Sequence, residues 1–234
     1  MKSLTGKVVV LGYQGVGKTS TVIRYVENTF SKQIVPTVGA SFFSCKLDIE
    51  NTQVTLQIWD TAGQERFKAM APMFYRNANA ALLIFDITSR TSFESMKGWV
   101  QELKRNVEEP MVLCVIGNKI DLADKRQVSR DEAVQYSKTI GASYMECSAK
   151  ADQGIGLIFE NIALGLLRLS GQNNNRTLKV YDNEIMATSS ELEATDTGNE
   201  ETVNISINSI AHGRTECAHH AVDWHLNRHA HMWP

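Results

Sequence analysis

Over the first 170 residues, short uninterrupted apolar runs alternate with apolar positions at helical spacing. Val8-Val9-Val10-Leu11, Ala80 to Phe85 and Met111 to Ile116 are continuous runs, as expected of strands buried on both faces of a parallel sheet. Between them Val22, Ile23 and Val26 recur at helical spacing, as do Phe93, Met96, Val100 and Leu103. Ile155, Ile158, Phe159, Ile162 and Leu166 mark a last helix with one apolar face. Ser92 and Ser129 are predicted N-caps, the second opening Ser-Arg-Asp-Glu, a capping box completed by Glu132. One stretch has period two. Cys45, Leu47 and Ile49, then Val54, Leu56 and Ile58, alternate with polar neighbours around Glu50-Asn51-Thr52, which predicts an antiparallel hairpin with one wet face. The order is β-α-β-β-α-β-α-β-α-β-α. It predicts an α/β fold: an open, mostly parallel six-stranded sheet with one antiparallel edge strand and helices on both faces. Such sheets bind ligands at the carboxyl ends of their strands.

Composition divides the chain. Up to Gly171 there are 20 basic and 17 acidic side chains, and after it 4 basic and 9 acidic. All six histidines lie between His212 and His231. The later segment is polar, acidic and poor in large apolar residues, too little to offset the entropy of ordering. The predicted organisation is one domain over 1–170 and a low-complexity, disordered tail over 171–234. With 43% hydrophobic residues overall, a collagen-like or wholly disordered chain is excluded. A net charge of -2 argues against nucleic acid or acidic lipid as the main partner. No apolar run approaches the roughly 18 residues of a spanning helix. Met1-Lys2-Ser3 opens neither a signal peptide nor a myristoylation site. Cys45, Cys114, Cys147 and Cys217 show no paired spacing, which reads as reduced thiols in the cytosol.

The chemistry lies at the predicted strand ends. Gly12-Tyr13-Gln14-Gly15-Val16-Gly17-Lys18-Thr19 fits G-x-x-x-x-G-K-[ST] and joins the first strand to the first helix, the context a phosphate loop requires. Backbone N–H groups of Gly15, Val16, Gly17, Lys18, Thr19 and Ser20 would surround the phosphates. Lys18 would reach the β- and γ-phosphates, and the Thr19 hydroxyl would bind Mg²⁺. Asn118-Lys119-Ile120-Asp121 and Ser148-Ala149-Lys150 follow two later strands. Asp121 can accept from the N1–H and N2 amino group of guanine; adenine offers neither donor. Asn118 can bridge loops, the Lys119 stem can cover a ring face, and the Ala149 N–H can donate to O6. Asp60-Thr61-Ala62-Gly63-Gln64 ends another strand. Asp60 can hold an Mg²⁺-bound water, Gly63 N–H can touch a γ-phosphate, and Gln64 can orient the attacking water. Phosphoanhydride hydrolysis is mainly positioning and charge stabilisation, so a domain without histidine suffices. An ATP-using enzyme is disfavoured by Asp121 and Ala149, and a binding-only scaffold by Gln64, Thr37 and Asp60.

These motifs resemble the Ras superfamily of small GTPases, and residues 5–170 resemble its Rab family. Thr37-Val38-Gly39-Ala40-Ser41-Phe42, Leu56-Gln57-Ile58-Trp59, Arg66-Phe67, Phe74-Tyr75-Arg76-Asn77-Ala78 and Leu83-Ile84-Phe85-Asp86-Ile87-Thr88 carry the Rab likeness. Ala71-Pro72-Met73-Phe74-Tyr75-Arg76 and Trp99-Val100-Gln101-Glu102-Leu103 are similar to its early-endosomal branch. The resemblance implies a monomer cycling between GTP and GDP with Mg²⁺, peripheral on endosomal membranes from the cytoplasm. It implies that Thr37 supplies a second Mg²⁺ hydroxyl, that Phe30 packs edge-on against guanine, and that residues 31–42 and 61–77 switch. It implies an exchange factor, a GTPase-activating protein and effectors as partners. No built-in arginine finger stands out, so intrinsic turnover is expected to be slow and a partner to raise it about 10³–10⁵-fold.

Two features qualify the likeness. Val54, Leu56 and Ile58 share one face, so Trp59 belongs on the wet one. In Rab relatives the aromatics matching Phe42, Trp59 and Phe74 form an effector patch. The segment Asn227-Arg228-His229-Ala230-His231-Met232-Trp233-Pro234 holds neither a C-a-a-X box nor a terminal cysteine pair. As written, the sequence predicts no lipid anchor, as in a divergent member or an alternative C-terminus. Cys217, His219, His220, His225 and His229 include an H-x₃-H pair without a C-x₂-C, so solvated histidines are the simpler reading than zinc.

Overall fold

A computed structural model describes residues 2–64, 71–171, 178–182 and the backbone of 217–219. Its strands are β1 (Lys2–Leu11), β2 (Ala40–Ile49), β3 (Thr52–Thr61), β4 (Ala80–Asp86), β5 (Val112–Asn118), β6 (Ser143–Cys147), β7 (Lys179–Asp182) and β8 (Cys217–His219). The helices are α1 (Lys18–Glu27), α2 (Ala71–Tyr75), α3 (Arg90–Asn106), α4 (Arg130–Thr139) and α5 (Ile155–Ser170), with a 3₁₀ segment at Ile120–Lys125. Among the described residues, no helix is long and apolar enough to cross a membrane.

Strands lie in the order β6-β5-β4-β1-β3-β2-β8. β1 pairs in parallel with β3 and β4, β4 with β5, and β5 with β6. β2 and β3 form the antiparallel hairpin, with Leu47 opposite Val54 and Cys45 opposite Leu56. Alternation within each strand sorts its residues between two cores. Val8, Val10, Leu56, Ile58, Leu82 and Ile84 join Val22 of α1 and Phe159, Ile162 and Leu166 of α5 on one face. Val9, Leu11, Leu83 and Phe85 join Phe93, Met96 and Val100 of α3 on the other. That two-sided burial explains the unbroken apolar runs. Each large aliphatic or aromatic side chain so buried contributes roughly 1.5–3 kcal/mol.

The helix starts follow the sequence with two corrections. Ser129 caps α4, its hydroxyl accepting from Glu132 N–H at 3.2 Å. The Glu132 carboxylate, however, pairs with Arg90 rather than closing a capping box. Ser92 is not the cap of α3. Ser89 is, accepting from Ser92 N–H at 3.3 Å, while Ser92 Oγ donates to the Ser89 carbonyl at 2.8 Å.

The alternation predicts six strands; among the described residues the sheet has eight. β4 pairs with only Val8–Leu11 of β1, so the same edge of Lys2–Thr5 extends beyond it. Lys179–Asp182 covers that edge in antiparallel register, and Leu178 is buried beside it. Cys217–His219 pairs with the outer edge of β2 at Phe43–Cys45. Exposed backbone edges recruit strands even from a sequence with no alternating pattern, so these two segments depart from the predicted disordered tail. The remainder of that tail, with the His225 and His229 pair, lies outside the described residues. So do Arg66-Phe67.

Candidate functional site

β1 is the point where strand order reverses, with β3 on one side and β4 on the other. The chain leaves β1 at Leu11, turns through residues 12–17 and enters α1. The crevice there is where a doubly wound sheet takes its ligand. A cavity of about 430 Å³ opens at this position. Its wall includes Gln14, Gly15, Gly17, Lys18, Thr19, Ser20, Phe30, Thr37, Gly63, Gln64, Asn118, Lys119, Asp121, Ala149 and Lys150. Elements as distant in sequence as residues 14 and 150 thus meet in one pocket. Val16 and Ser148 are close behind it, both buried.

At the loop end, Gly17 adopts φ +95°, and a Cβ there would run into the Asn118 amide. That amide donates to the Val16 carbonyl at 2.8 Å. Its oxygen accepts from Lys119 N–H at 2.8 Å. Asn118 therefore ties the phosphate-loop motif to the end of β5. Lys18 Nζ donates to the Gly12 and Tyr13 carbonyls, each at 3.1 Å. Burial lowers its pKa and the Asp60 carboxylate opposes that shift. At Gly63 a Cβ would meet Lys18 Nζ and lie 2.7 Å from Gln14 N, so a glycine is required for this close approach.

Thr19, Thr37 and Asp60 converge. Thr19 Oγ1 lies 2.9 Å from Thr37 Oγ1 and donates to Asp60 Oδ2 at 2.5 Å. Asp60 is fully buried, and its Oδ1 lacks a hydrogen-bond partner. Burial pushes its pKa up to about 6, against the opposing pull of Thr19, Lys18 and Thr37. Two hydroxyls beside a buried carboxylate with an orphan oxygen form an all-oxygen donor set, which fits a hard divalent cation. Mg²⁺ demands few protein ligands, and these residues can supply them.

At the opposite end, Ser148 Oγ donates to Asp121 Oδ1 at 2.6 Å. Lys150 Nζ lies 3.5 Å from Asp121 Oδ2. Ser148 Oγ also accepts from Ala151 N–H at 2.9 Å, which holds the residue 148–151 turn. Arg126 meets Glu146 in two hydrogen bonds of 2.8 and 3.1 Å. Burial alone would raise the Glu146 pKa, but bonds from Arg126 and Tyr144 bring it below the usual value.

Two supporting contacts went unpredicted. Asp86, at the end of β4, forms an ion pair with Lys119 at 2.7 Å, which fixes a residue whose φ is +70°. Arg24 Nε donates to the Ala149 carbonyl at 2.9 Å, and its guanidinium lies 5.8 Å from the Phe30 ring centroid. An acid closing a buried apolar strand was the available signal for Asp86. Nothing local marks Arg24, since its partner lies 125 positions away.

Outside the pocket, Trp59 is half-buried on the opposite sheet face from Ile58. Its ring centroid lies 5.3 Å from that of Phe42 and 6.3 Å from that of Phe74. Lys7 Nζ sits 5.3 Å over the Trp59 ring and donates to the Arg76 carbonyl at 2.8 Å.

A family model described as Ras family matches residues 7–168, the span that contains every pocket residue. Ras-related protein Rab-21 of Canis lupus familiaris is 42% identical over 197 residues, 79% of this chain and 88% of that one. Human Rab-21 is 48% identical over 153 residues, 65% of this chain and 68% of its own. Ras-related protein RHN1 of Nicotiana plumbaginifolia is 44% identical over 180 residues, 77% and 90% of the two chains. The chain belongs to the Ras family of small GTPases. Within it the protein is of the Rab type, a GTP hydrolase of the class that regulates vesicle traffic.

Proposed function

We propose that this protein is a Mg²⁺-dependent guanine-nucleotide switch whose pocket residues act as follows. The N–H groups of residues 15–20 cradle the phosphates, and Lys18 places its charge on the β- and γ-phosphates. Asp121 selects guanine, Ala149 N–H donates to O6, and Phe30 and the Lys119 stem flank the base. Ser148, Lys150 and Asn118 hold the base-reading loops in place. Thr19, Thr37 and Asp60 hold Mg²⁺, which when bound neutralises charge on the phosphate oxygens. Gly63 N–H donates to the γ-phosphate and Gln64 aligns water for in-line attack. The observation that carries this reading is the convergence of Thr37, from the loop before β2, on Thr19 and Asp60. A hydroxyl brought there by a loop reports the γ-phosphate to residues 31–42, and Gly63 does so to the segment 61–77.

In single-turnover phosphate release, Gln64→Leu is expected to slow hydrolysis by about 10–100-fold. GTP affinity should stay within a factor of about two, because Gln64 acts on the water. Equal hydrolysis by both proteins would remove Gln64 from its assigned role.

The switch acts through partners: an exchange factor, an activating protein that supplies the missing cationic group, and effectors. Effectors dock on Phe42, Trp59 and Phe74, where an aromatic cluster adjoins both switches. Trp59→Ala should weaken capture of GTP-dependent effectors at least tenfold, the loss typical of an aromatic anchor, with GTP affinity unchanged. Undiminished capture would exclude this surface. The working location is the cytoplasmic face of endosomal membranes, which the likeness to Rab-21 proteins supports, and the protein works as a monomer.

A further inference from the structure

β8 brings Cys217 back to the domain. Cys217 is the register partner of Cys45, Ala218 of Ser44, and His219 of Phe43. Phe43 and Cys45 are buried in the core on the α1 and α5 face. Directly opposed residues of an antiparallel ladder share a face, so Cys217 occupies the core-side face of β8 opposite Cys45. Such residues have Cα atoms about 4.5 or 5.5 Å apart, depending on whether the pair is hydrogen-bonded. Both separations fall within the roughly 4.4–6.8 Å that a disulfide spans. The register thus satisfies the distance requirement for either kind of pair. Cys114 and Cys147 have a different setting. They lie in β5 and β6, on the other side of β1 from β2 and β8, so neither is a register partner of Cys217.

We propose that Cys45 and Cys217 form a reversible intramolecular disulfide that fastens the tail across the outer edge of β2. Hydrogen peroxide is the oxidant. Both S–H bonds break and one S–S bond forms. The peroxide O–O bond takes up the two electrons and two protons released and leaves as two waters. Thiol exchange with a reductant such as glutathione restores both thiols and leaves the reductant as its disulfide. β8 already occupies the ladder positions of Phe43, Ser44 and Cys45, and the bond makes that cover covalent. A partner that adds a strand to this edge is then shut out until the disulfide is reduced.

The test uses the full chain, reduced, exposed to peroxide and digested with trypsin without reductant. A linked pair of peptides 33–46 and 215–228 is expected, two hydrogens lighter than their sum and lost on adding dithiothreitol. Two thiols per chain should disappear. Cys217→Ser should abolish the linked pair and keep its three remaining thiols titratable, with bound nucleotide retained as the check on folding. Because Cys45 lies in the core, Cys217→Ser is the deciding variant should Cys45→Ala not fold. The proposal is overturned if no linked pair forms, or if the main product is a dimer joined between chains. It is equally overturned by links to peptides 106–119 or 139–150, which carry Cys114 and Cys147, in comparable amount.

Discussion

Asp121→Asn is expected to lower GTP affinity by roughly 10²–10⁴-fold and to transfer selectivity to xanthosine triphosphate. The carboxylate is held in place before any base arrives, with Oδ1 accepting from Ser148 and Oδ2 facing Lys150. Guanine offers two donors to that edge, and in the proposed pose they meet the two oxygens of the Asp121 carboxylate. The amide retains one acceptor, which keeps the Ser148 bond, and turns the other position into a donor. A donor facing the guanine amino group is repelled and leaves buried N–H groups unpaired, whereas the C2 carbonyl of xanthine accepts from it. Competition between guanine and xanthine nucleotides for a fluorescent analogue measures the shift. A variant that still prefers guanine would show that Asp121 does not read the base edge.

The second large effect concerns Asp60, where a single substitution is expected to move two quantities in opposite directions. In the metal-free protein this buried carboxylate has a pKa of about 6 against an ordinary value of 3.8. The folded state therefore binds more protons than the unfolded chain between those values. Stability falls as pH rises from about 4 to about 6 and stays low above that range. The cost of keeping the group ionised at neutral pH is up to roughly 3 kcal/mol. Asp60→Asn removes it, less what Lys18 loses with its nearby negative charge. Nucleotide-free protein carrying Asp60→Asn should thus resist urea better at pH 7.5 and lose the downward slope between pH 4 and 6. The same variant should weaken Mg²⁺ by about 10²-fold, read as faster nucleotide release at fixed free Mg²⁺. A variant with normal Mg²⁺ dependence would exclude Asp60 from the cation site, whatever its stability.

The local elements were legible because each answers to a pattern a few residues long. Runs such as Ala80 to Phe85 declare a strand buried on both sides, and the alternation about residues 50–52 declares the hairpin. The same parity put Trp59 on the face opposite Ile58, beside Phe42. Motif spacing found residues that meet in one cavity, because each motif closes a strand and parallel strands end on one edge. Contacts that depend on three-dimensional approach were not legible. Arg24 reaches Ala149 from another helix, and Asp86 pins Lys119 across adjacent strand ends. Ser89 and Ser92 are equally good caps on paper; the backbone of Ser89, extended at φ -132° and ψ 102°, decides between them. β7 and β8 escaped because four- and three-residue strands have no period to detect, and their partner edges are visible only once the sheet is assembled.

The antiparallel seating of Lys179–Asp182 against Lys2–Thr5 has a mechanical meaning. The chain leaves β7 at Asp182, opposite Lys2, and so departs from the pole of the sheet farthest from the phosphate loop. A pull on the segment immediately after Asp182, directed along the strand axis, would load the ladder in shear: its bonds must yield together rather than peel one by one. The strand that resists the pull is β1, whose other end is Leu11, the residue before the glycine turn. Tension on the tail and occupancy of the pocket thus bear on opposite ends of one rod.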